Sequence, residues 1–198
     1  MRSVPPISPQ KRGVSSPPWL RPLQQDDIPT LLALTADTGV FRPHEVDTLA
    51  EVFADYFTAM RECDHQAYVW QTERELRGFV YYAPAPLTDR TWYLWWIVVA
   101  REHQRQGWGS RLLRFVEHDL RSRGARLLLI ETSSQPAYAP TRAFYLKHGY
   151  QVCATVPDFY TDGDSLVIFA RRFTSPDPPR QADSRKENPF AFSWKPTS

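Results

Sequence analysis

A polar loop with two glycines lies between a long apolar segment and an amphipathic segment, within residues 97–113. Gln104, Gly107 and Gly109 fall where a strand ends and a helix is predicted to begin. The N-terminus of a helix presents unpaired N–H groups and a partial positive charge. Because glycine has no Cβ atom, the backbone there can approach a ligand closely. The pattern predicts an anion site suited to a pyrophosphate, with Arg105 and Arg111 adding positive charge at its rim.

The glycine pattern alone leaves two interpretations open, because a tight strand-to-helix turn without a ligand has the same spacing. Two other nucleotide sites fit less well. A Rossmann site would need a third glycine where the chain has Leu112, and an acidic residue about 20 residues further on. A Walker A loop would need Gly-Lys followed by Ser or Thr after four spacer residues, which the chain lacks.

Two further side chains have types that suit acid–base chemistry. Glu131 follows the apolar run LLLI, and a charged residue there must face a cleft or pair with another group such as an arginine. Both interpretations stay open, and Glu131 is our candidate for a general base. Tyr145 lies on a short predicted helix beside Phe144, so it is either a core aromatic or a functional phenol.

Hydrophobic periodicity predicts one α/β domain over residues 19–173, and its elements must position these side chains. We expect the strands 91–100 and 126–134 to be parallel neighbours, because a right-handed crossover through a helix connects them. The polar segment 157–164 is predicted to be the turn of a final hairpin. Strands are predicted at 19–23, 67–71, 76–83, 91–100, 126–134, 150–156 and 165–173, and helices from 28, at 44–60, at 108–123 and at 141–149.

The composition excludes several classes of protein. The 198 residues carry a formal net charge of +2, which gives no global field of the kind that nucleic-acid-binding chains carry. Two cysteines without a Cys/His cluster argue against a disulfide scaffold and against a metal site. No apolar run approaches the roughly 20 residues that cross a bilayer, and the first residues lack the apolar core of a secretory signal. We therefore expect a cytoplasmic protein with no metal and with no nucleic-acid or membrane partner.

Proline-rich segments flank the predicted domain. Six of the 18 prolines lie in residues 1–22 and five lie in residues 174–198. Such segments bury too little apolar surface to offset the entropy of ordering the chain. We predict a disordered Pro/Ser-rich segment at 1–18 and a Pro-rich tail at 174–198. In the tail, Phe190, Phe192 and Trp194 either dock onto the domain, which is the simpler interpretation, or bind a partner.

Two motifs resemble those of the GNAT acetyltransferase superfamily. Residues 104–109, QRQGWG, match its acetyl-CoA signature Arg/Gln-x-x-Gly-x-Gly/Ala, and residues 143–150, AFYLKHGY, resemble its FYxxxGF motif. The resemblance implies a mixed α/β fold with a mostly antiparallel sheet of about six or seven strands, a central splayed parallel pair and helices on both faces. It also implies acetyl-CoA as co-substrate. The cofactor-binding residues that it implies are Ile97, Val98, Val99, Gln104, Arg105, Gln106, Gly107, Trp108, Gly109, Ser110, Tyr138 and Tyr145.

The resemblance further implies an N-acetyltransferase that passes the acetyl group directly to a primary amine. Tyr145 matches the tyrosine that often protonates the departing CoA thiolate, and a backbone N–H near Val99 would stabilise the oxyanion. The chain departs from the family pattern at three positions. Arg101 stands where proline is common, Trp108 where a small or aliphatic residue is usual, and Tyr138 where many members have an asparagine that contacts the cofactor.

The predicted acceptor is an amine, carried either by a small molecule or by a protein. Aromatic and acidic residues suit a cationic small amine or an amine with an apolar body, although at least half of the tryptophans are expected in the core. Other hypotheses are a non-catalytic acyl-CoA-binding or partner-binding module, and an enzyme whose Pro-rich termini recruit a protein target. The chain could also form a homodimer. The candidate acceptor residues are Tyr81, Tyr82, Trp92, Tyr93, Trp95, Trp96 and 158–164.

Overall fold

The computed structural model describes residues 16–73 and 75–173, which contain seven strands and four helices. The strands are β1 (Leu20–Pro22), β2 (Gln66–Gln71), β3 (Leu76–Pro84), β4 (Thr91–Val99), β5 (Leu127–Ser133), β6 (Gln151–Thr161) and β7 (Asp164–Arg172). The helices are α1 (Ile28–Asp37), α2 (Pro43–Asp55), which continues into a π-helical turn at Tyr56–Met60, α3 (Trp108–Ser122) and α4 (Ala139–Lys147). The predictions for 1–15 and 174–198 lie outside the described residues.

The strands form one sheet in the order β1-β2-β3-β4-β5-β7-β6. Within the described residues, β4 and β5 run parallel and the other neighbouring strands run antiparallel. This is the mixed, mostly antiparallel sheet with a central parallel pair that the sequence predicts, and the fold class is confirmed. Of the helices in the described residues, none combines the length and apolar character that a membrane crossing requires.

Helices cover both faces of the sheet, because strand side chains alternate between the two faces. On one face, Leu112 of α3 and Tyr145 of α4 belong to one buried cluster. On the other face, Leu31 of α1 and Phe53 of α2 pack with Phe79 of β3 in a second cluster. We call these two surfaces of the sheet the α3 face and the α2 face.

The central parallel pair opens into a gap. Pairing between β4 and β5 ends at Tyr93 and Leu129. Beyond that point β4 follows β3 as far as Val99, and β5 follows β7 as far as Ser133. The two strands therefore separate, and their facing backbone groups lose their ladder partners.

A β-bulge in β4 lies beside this gap. Tyr81 is opposite Trp96 and Tyr82 is opposite Leu94, so Trp95 is the extra residue. A bulge bends its strand and changes which face the following side chains occupy. Leu94 accordingly belongs to the cluster on the α3 face, whereas Trp96 packs against the cluster on the α2 face.

Two details of the fold differ from the sequence predictions. β6 extends to Thr161, through residues predicted as a turn, and its pairing with β7 is irregular between Val156 and Thr161. The sequence also predicts that Arg123 lies on the exposed face of α3. Its side chain is only 11% exposed instead, and it forms ion pairs with Asp119 at 2.6 Å and Asp64 at 2.9 Å.

Candidate active site

A cavity of about 730 Å³ lies at the gap between β4 and β5. Its size falls within the range of small-molecule sites, about 300–1,000 Å³. Tyr145 reaches it from the α3 face, where α4 packs. Glu131 follows Ile130, which is buried on the α3 face, so its side chain projects toward the α2 face. The cavity therefore joins the two faces of the sheet.

Tyr145 lines this cavity with a side chain that is otherwise buried. The residue is 4% exposed, and its ring packs against Tyr150 and Phe169 with centroid distances of 5.8 and 5.6 Å. Within the described residues its hydroxyl has no hydrogen-bond partner. Burial raises the pKa of the Tyr145 phenol, so the group stays protonated at neutral pH. A protonated hydroxyl without a protein partner is available to a ligand as a donor.

Glu131 lies at the cavity with its side chain partly buried. Burial raises the pKa of its carboxyl, and a hydrogen bond from the Tyr93 phenol opposes that shift without cancelling it. The sequence left open an ion pair with an arginine. No such pair with Glu131 is found within residues 16–73 and 75–173, so the carboxylate faces the cleft.

The glycine loop adopts the geometry that an anion site needs. Gly107 caps α3 with a φ of 85°, and Arg105 has a φ of 60°. In the first turn of α3, the N–H groups of Gly109 and Ser110 have no hydrogen-bond partner among the described residues. The side chain of Gln104 donates to the carbonyl of Val99 at 3.1 Å, which fastens the loop to the end of β4.

Hydrogen bonds join this loop to the second motif. The Ser110 hydroxyl is 2.9 Å from His148 Nε2, and His148 Nδ1 is 2.8 Å from the Phe144 carbonyl. A Cβ atom at Gly109 would lie 3.6 Å from the Phe144 ring, so the two elements pack at ordinary contact distance. Gln106 donates within its own loop, to the carbonyl of Glu102 at 2.8 Å. The two motifs thus form one structural unit on the α3 face.

The structure accounts for the unusual tryptophan of the loop. Trp108 stacks on the buried Trp70 with ring centroids 3.9 Å apart and meets Trp19 edge-on at 5.7 Å. The guanidinium of Arg111 lies over its other side, 4.3 Å from the ring centroid. A large aromatic ring is therefore accommodated by packing outside the glycine turn.

The predicted cofactor residues of β4 differ in their surroundings. Ile97 lines the cavity, and Val98 is buried in the cluster on the α2 face. Val99 packs against the cluster on the α3 face. Because β4 has no ladder with β5 after Tyr93, the backbone of all three residues borders the gap.

Tyr138 belongs to a hydrogen-bond network that the sequence did not indicate. Its hydroxyl donates to the Glu45 carboxylate at 3.1 Å, and the Arg42 backbone N–H donates to the same carboxylate at 2.6 Å. The Arg42 guanidinium pairs with Asp164 at 2.6 Å, and the Ser133 hydroxyl also donates to Asp164. Burial alone would raise the pKa of Asp164, but the bonds from Ser133 and Arg42 hold it below its usual value. The role of Tyr138 in cofactor binding stays a prediction.

A second group missed by sequence reasoning lies on the α2 face of the cavity. His65 Nδ1 is 2.7 Å from the Tyr81 hydroxyl, and both residues line the cavity together with Asp55. Burial lowers the pKa of His65, so its imidazole is neutral at pH 7. Sequence spacing gave no signal for these partners, because α2, β2 and β3 bring them together only in the folded chain.

The predicted acceptor residues divide into two sets. Tyr82 and Trp92 do not line the cavity, because the alternation of their strands places them in the core on the α3 face, where Tyr82 donates to Asp119 at 2.7 Å. Tyr93 does not line the cavity, but its phenol lies near Glu131 and affects the pKa of that carboxyl. The predicted residues that line the cavity are Tyr81, Trp95, Trp96, Phe159 and Tyr160.

A split parallel pair with a glycine turn on one face and a cavity through the gap defines the chain as an acyltransferase of the GNAT fold. The profile of the family described as Acetyltransferase (GNAT) family matches residues 30–150. The chain belongs to this family. It is also 30% identical over 66 residues to YsnE of Bacillus subtilis, an uncharacterised N-acetyltransferase. That match covers 33% of this chain and 44% of YsnE, so it spans less than half of the relative.

Solved structures agree with this assignment. A GNAT-family protein from Desulfovibrio desulfuricans is 33% identical, with a TM-score of 0.73 over 77% of this chain and 97% of that one. YncA of Salmonella typhimurium, solved with acetyl-CoA, is 16% identical, with a TM-score of 0.62 over 82% of this chain and 98% of YncA. At the lower identity the likeness concerns the fold alone.

Proposed function

We propose that the chain transfers the acetyl group of acetyl-CoA directly to a primary amine. One observation carries this proposal: a single cavity contains the Tyr145 hydroxyl from the α3 face and the Glu131 carboxylate from the α2 face. A proton donor and a proton acceptor thus approach the same gap from opposite sides. This arrangement suits a reaction in which two substrates meet within the sheet.

Acetyl-CoA is the proposed co-substrate on the α3 face. The unpartnered N–H groups of Gly109 and Ser110 would hold its pyrophosphate, with Arg105 at the rim. The unpaired edge of β4 at Ile97–Val99 offers hydrogen bonds to the amide groups of its pantetheine arm. YncA, which shares the fold, was solved with acetyl-CoA. When bound, acetyl-CoA supplies an activated thioester.

The chain's own groups perform the proton transfers. An amine attacks only in its neutral form, and the Glu131 carboxylate would accept its proton. The Tyr145 phenol, protonated at neutral pH, would donate a proton to the thioester sulfur as the bond to carbon breaks. A backbone N–H on the open edge of β4 near Val99 would stabilise the developing oxyanion. The amine acceptor, a cytoplasmic location and a homodimer stay predictions.

The test combines binding and turnover on the full chain. Acetyl-CoA should raise the unfolding temperature, because a ligand that binds only the folded state stabilises it. With a panel of primary amines, CoA thiol release should depend on the amine. An unchanged unfolding temperature at millimolar acetyl-CoA would overturn the cofactor site. Release at one rate with and without every amine would overturn amine transfer, and acetyl-CoA binding without any release would favour a binding module.

A further inference from the structure

The α2 face of the cavity has two polar ends. At the first end, burial is the main cause that raises the pKa of the Tyr160 phenol. Negative charges that include those of Glu131 and Glu45 raise it further, so both carboxylates lie near that phenol. At the second end, burial is the main cause that raises the pKa of the Tyr81 phenol. The charges of neighbours that include Asp55 raise it further. All five residues line the cavity. We call these the Glu131 end and the Asp55 end.

One side of α2 connects the two ends. Glu45, Thr48, Val52 and Asp55 follow one another at three- or four-residue spacing, and all four line the cavity. Glu45 and Asp55 are ten positions apart on the helix, which corresponds to about 15 Å along the helix axis. Much of the remaining lining is apolar, and it includes Phe41 in ring contact with Trp96 at 5.3 Å.

The charges of the lining do not balance. Three carboxylates line the cavity, those of Glu45, Asp55 and Glu131, and no ion pair to any of them is found among the described residues. The lining also includes His44 and Arg42, and Arg42 pairs with Asp164 at 2.6 Å and interacts electrostatically with Glu45. Burial keeps the nearby His65 neutral by lowering its pKa. The cavity therefore has a negative field that attracts more than one positive charge.

An independent observation indicates that a ligand enters this space. The Tyr145 hydroxyl lines the same cavity in a residue that is only 4% exposed, and it has no partner within the described part of the chain. This hydroxyl borders the cavity, where a ligand can accept a hydrogen bond from it.

We propose that the acceptor is a small molecule with two cationic groups joined by an apolar spacer. This inference rests on the proposed function. One amine reacts at the Glu131 end, and the second cation binds the Asp55 carboxylate, with the spacer along Val52 and the aromatic walls. In the transfer, the amine nitrogen bonds to the acetyl carbon as the carbon–sulfur bond breaks. The proton lost by nitrogen goes to Glu131, and the sulfur takes its proton from Tyr145.

The experiment compares matched acceptors on the full chain. Initial rates of CoA release are measured with a series of α,ω-diaminoalkanes, each against the n-alkylamine of equal length. At the best length, kcat/KM for the diamine should exceed that for the monoamine about two- to fivefold, the value of an ion pair with an exposed carboxylate. Asp55→Asn should reduce this ratio to near one by raising the KM of the diamine, with the monoamine unchanged.

A control on the same helix separates this effect from a general loss of negative charge. Glu51 is exposed on α2 and does not line the cavity, so Glu51→Gln should keep the full diamine preference. Equal rates for diamines and monoamines, or a preference that survives Asp55→Asn, would overturn the proposal while leaving amine acetylation intact. Acetylation of protein lysines with no diamine turnover would also overturn it. No turnover with any amine, despite acetyl-CoA binding, would instead count against the proposed function.

Discussion

Replacing Tyr145 by phenylalanine tests the proposed proton donor. The substitution keeps the ring and its packing against Tyr150 and Phe169. It removes a hydroxyl that has no partner in the described chain, so no protein hydrogen bond is lost. The free energy of unfolding should therefore change by less than about 1 kcal/mol.

The expected kinetic effect is larger than the effect on stability. Loss of a positioned acid typically lowers the rate about 10²- to 10⁴-fold. We expect the low end or less, because a CoA thiolate leaves tolerably without protonation. Acetyl-CoA affinity should hardly change, since the interaction strengthens mainly in the transition state. Steady-state kcat and calorimetric Kd for acetyl-CoA, measured on one preparation of Tyr145→Phe, check both expectations.

Tyr150 offers a matched control in the same motif. Its hydroxyl donates to the buried Glu117 at 3.0 Å, so Tyr150→Phe should cost about 1–3 kcal/mol of stability and leave kcat unchanged. Tyr150→Phe should thus lower the stability and leave the rate unchanged, whereas Tyr145→Phe should lower the rate and hardly change the stability. An unchanged kcat for Tyr145→Phe, with chemistry limiting turnover, would remove Tyr145 from the mechanism. If weaker binding of acetyl-CoA were the one effect of Tyr145→Phe, Tyr145 would be a cofactor contact instead.

Three further changes probe the loop, the bulged strand and the base. Gly109→Glu puts a negative side chain at the anion site, so the affinity for acetyl-CoA, measured by calorimetry, should weaken at least about tenfold. The fold should be retained, because the added Cβ would lie 3.6 Å from the Phe144 ring, an ordinary contact distance. Gly78→Ala puts a Cβ 2.4 Å from the Val98 carbonyl, so urea unfolding should show a loss of about 1–3 kcal/mol, and an unchanged midpoint would contradict the close approach. Burial raises the pKa of Glu131, so the acid limb of the pH profile of kcat/KM should lie at a pH above the usual carboxyl range. Glu131→Gln should abolish this acid limb and lower the rate about 10²-fold or more.

The regular elements could be predicted because their signals are local. Apolar residues at helical spacing within 108–123 predict the amphipathic helix observed as α3, and the apolar runs at 91–100 and 126–134 predict β4 and β5. Gly124 follows the C-cap residue Arg123 of α3 with a φ of 72°, the left-handed conformation at which glycine commonly ends a helix. The crossover rule then makes the two strands parallel without any structural information.

The details of the cavity could not be predicted, because they depend on contacts between distant parts of the chain. Trp95 and Trp96 both fit a strand, and nothing local indicates which of them bulges. The bond from Tyr138 to Glu45 joins residues 93 positions apart. The sequence places Arg123 on the exposed side of a helix, because its partners Asp119 and Asp64 meet it only in the folded chain.

The split in the sheet is stabilised at both of its strand ends, because the terminal carbonyls there have side-chain partners. A buried carbonyl without a hydrogen bond costs about 1–3 kcal/mol, and separating two strands exposes several. At the end of β4, the Val99 carbonyl accepts from the Gln104 side chain at 3.1 Å. At the end of β5, the Ser133 carbonyl accepts from the Arg142 side chain at 2.7 Å. Side chains thus supply hydrogen bonds to both strands where the strands lie farthest apart. Between these ends and the last paired residues, Tyr93 and Leu129, the unpaired strand edges are left for the substrates.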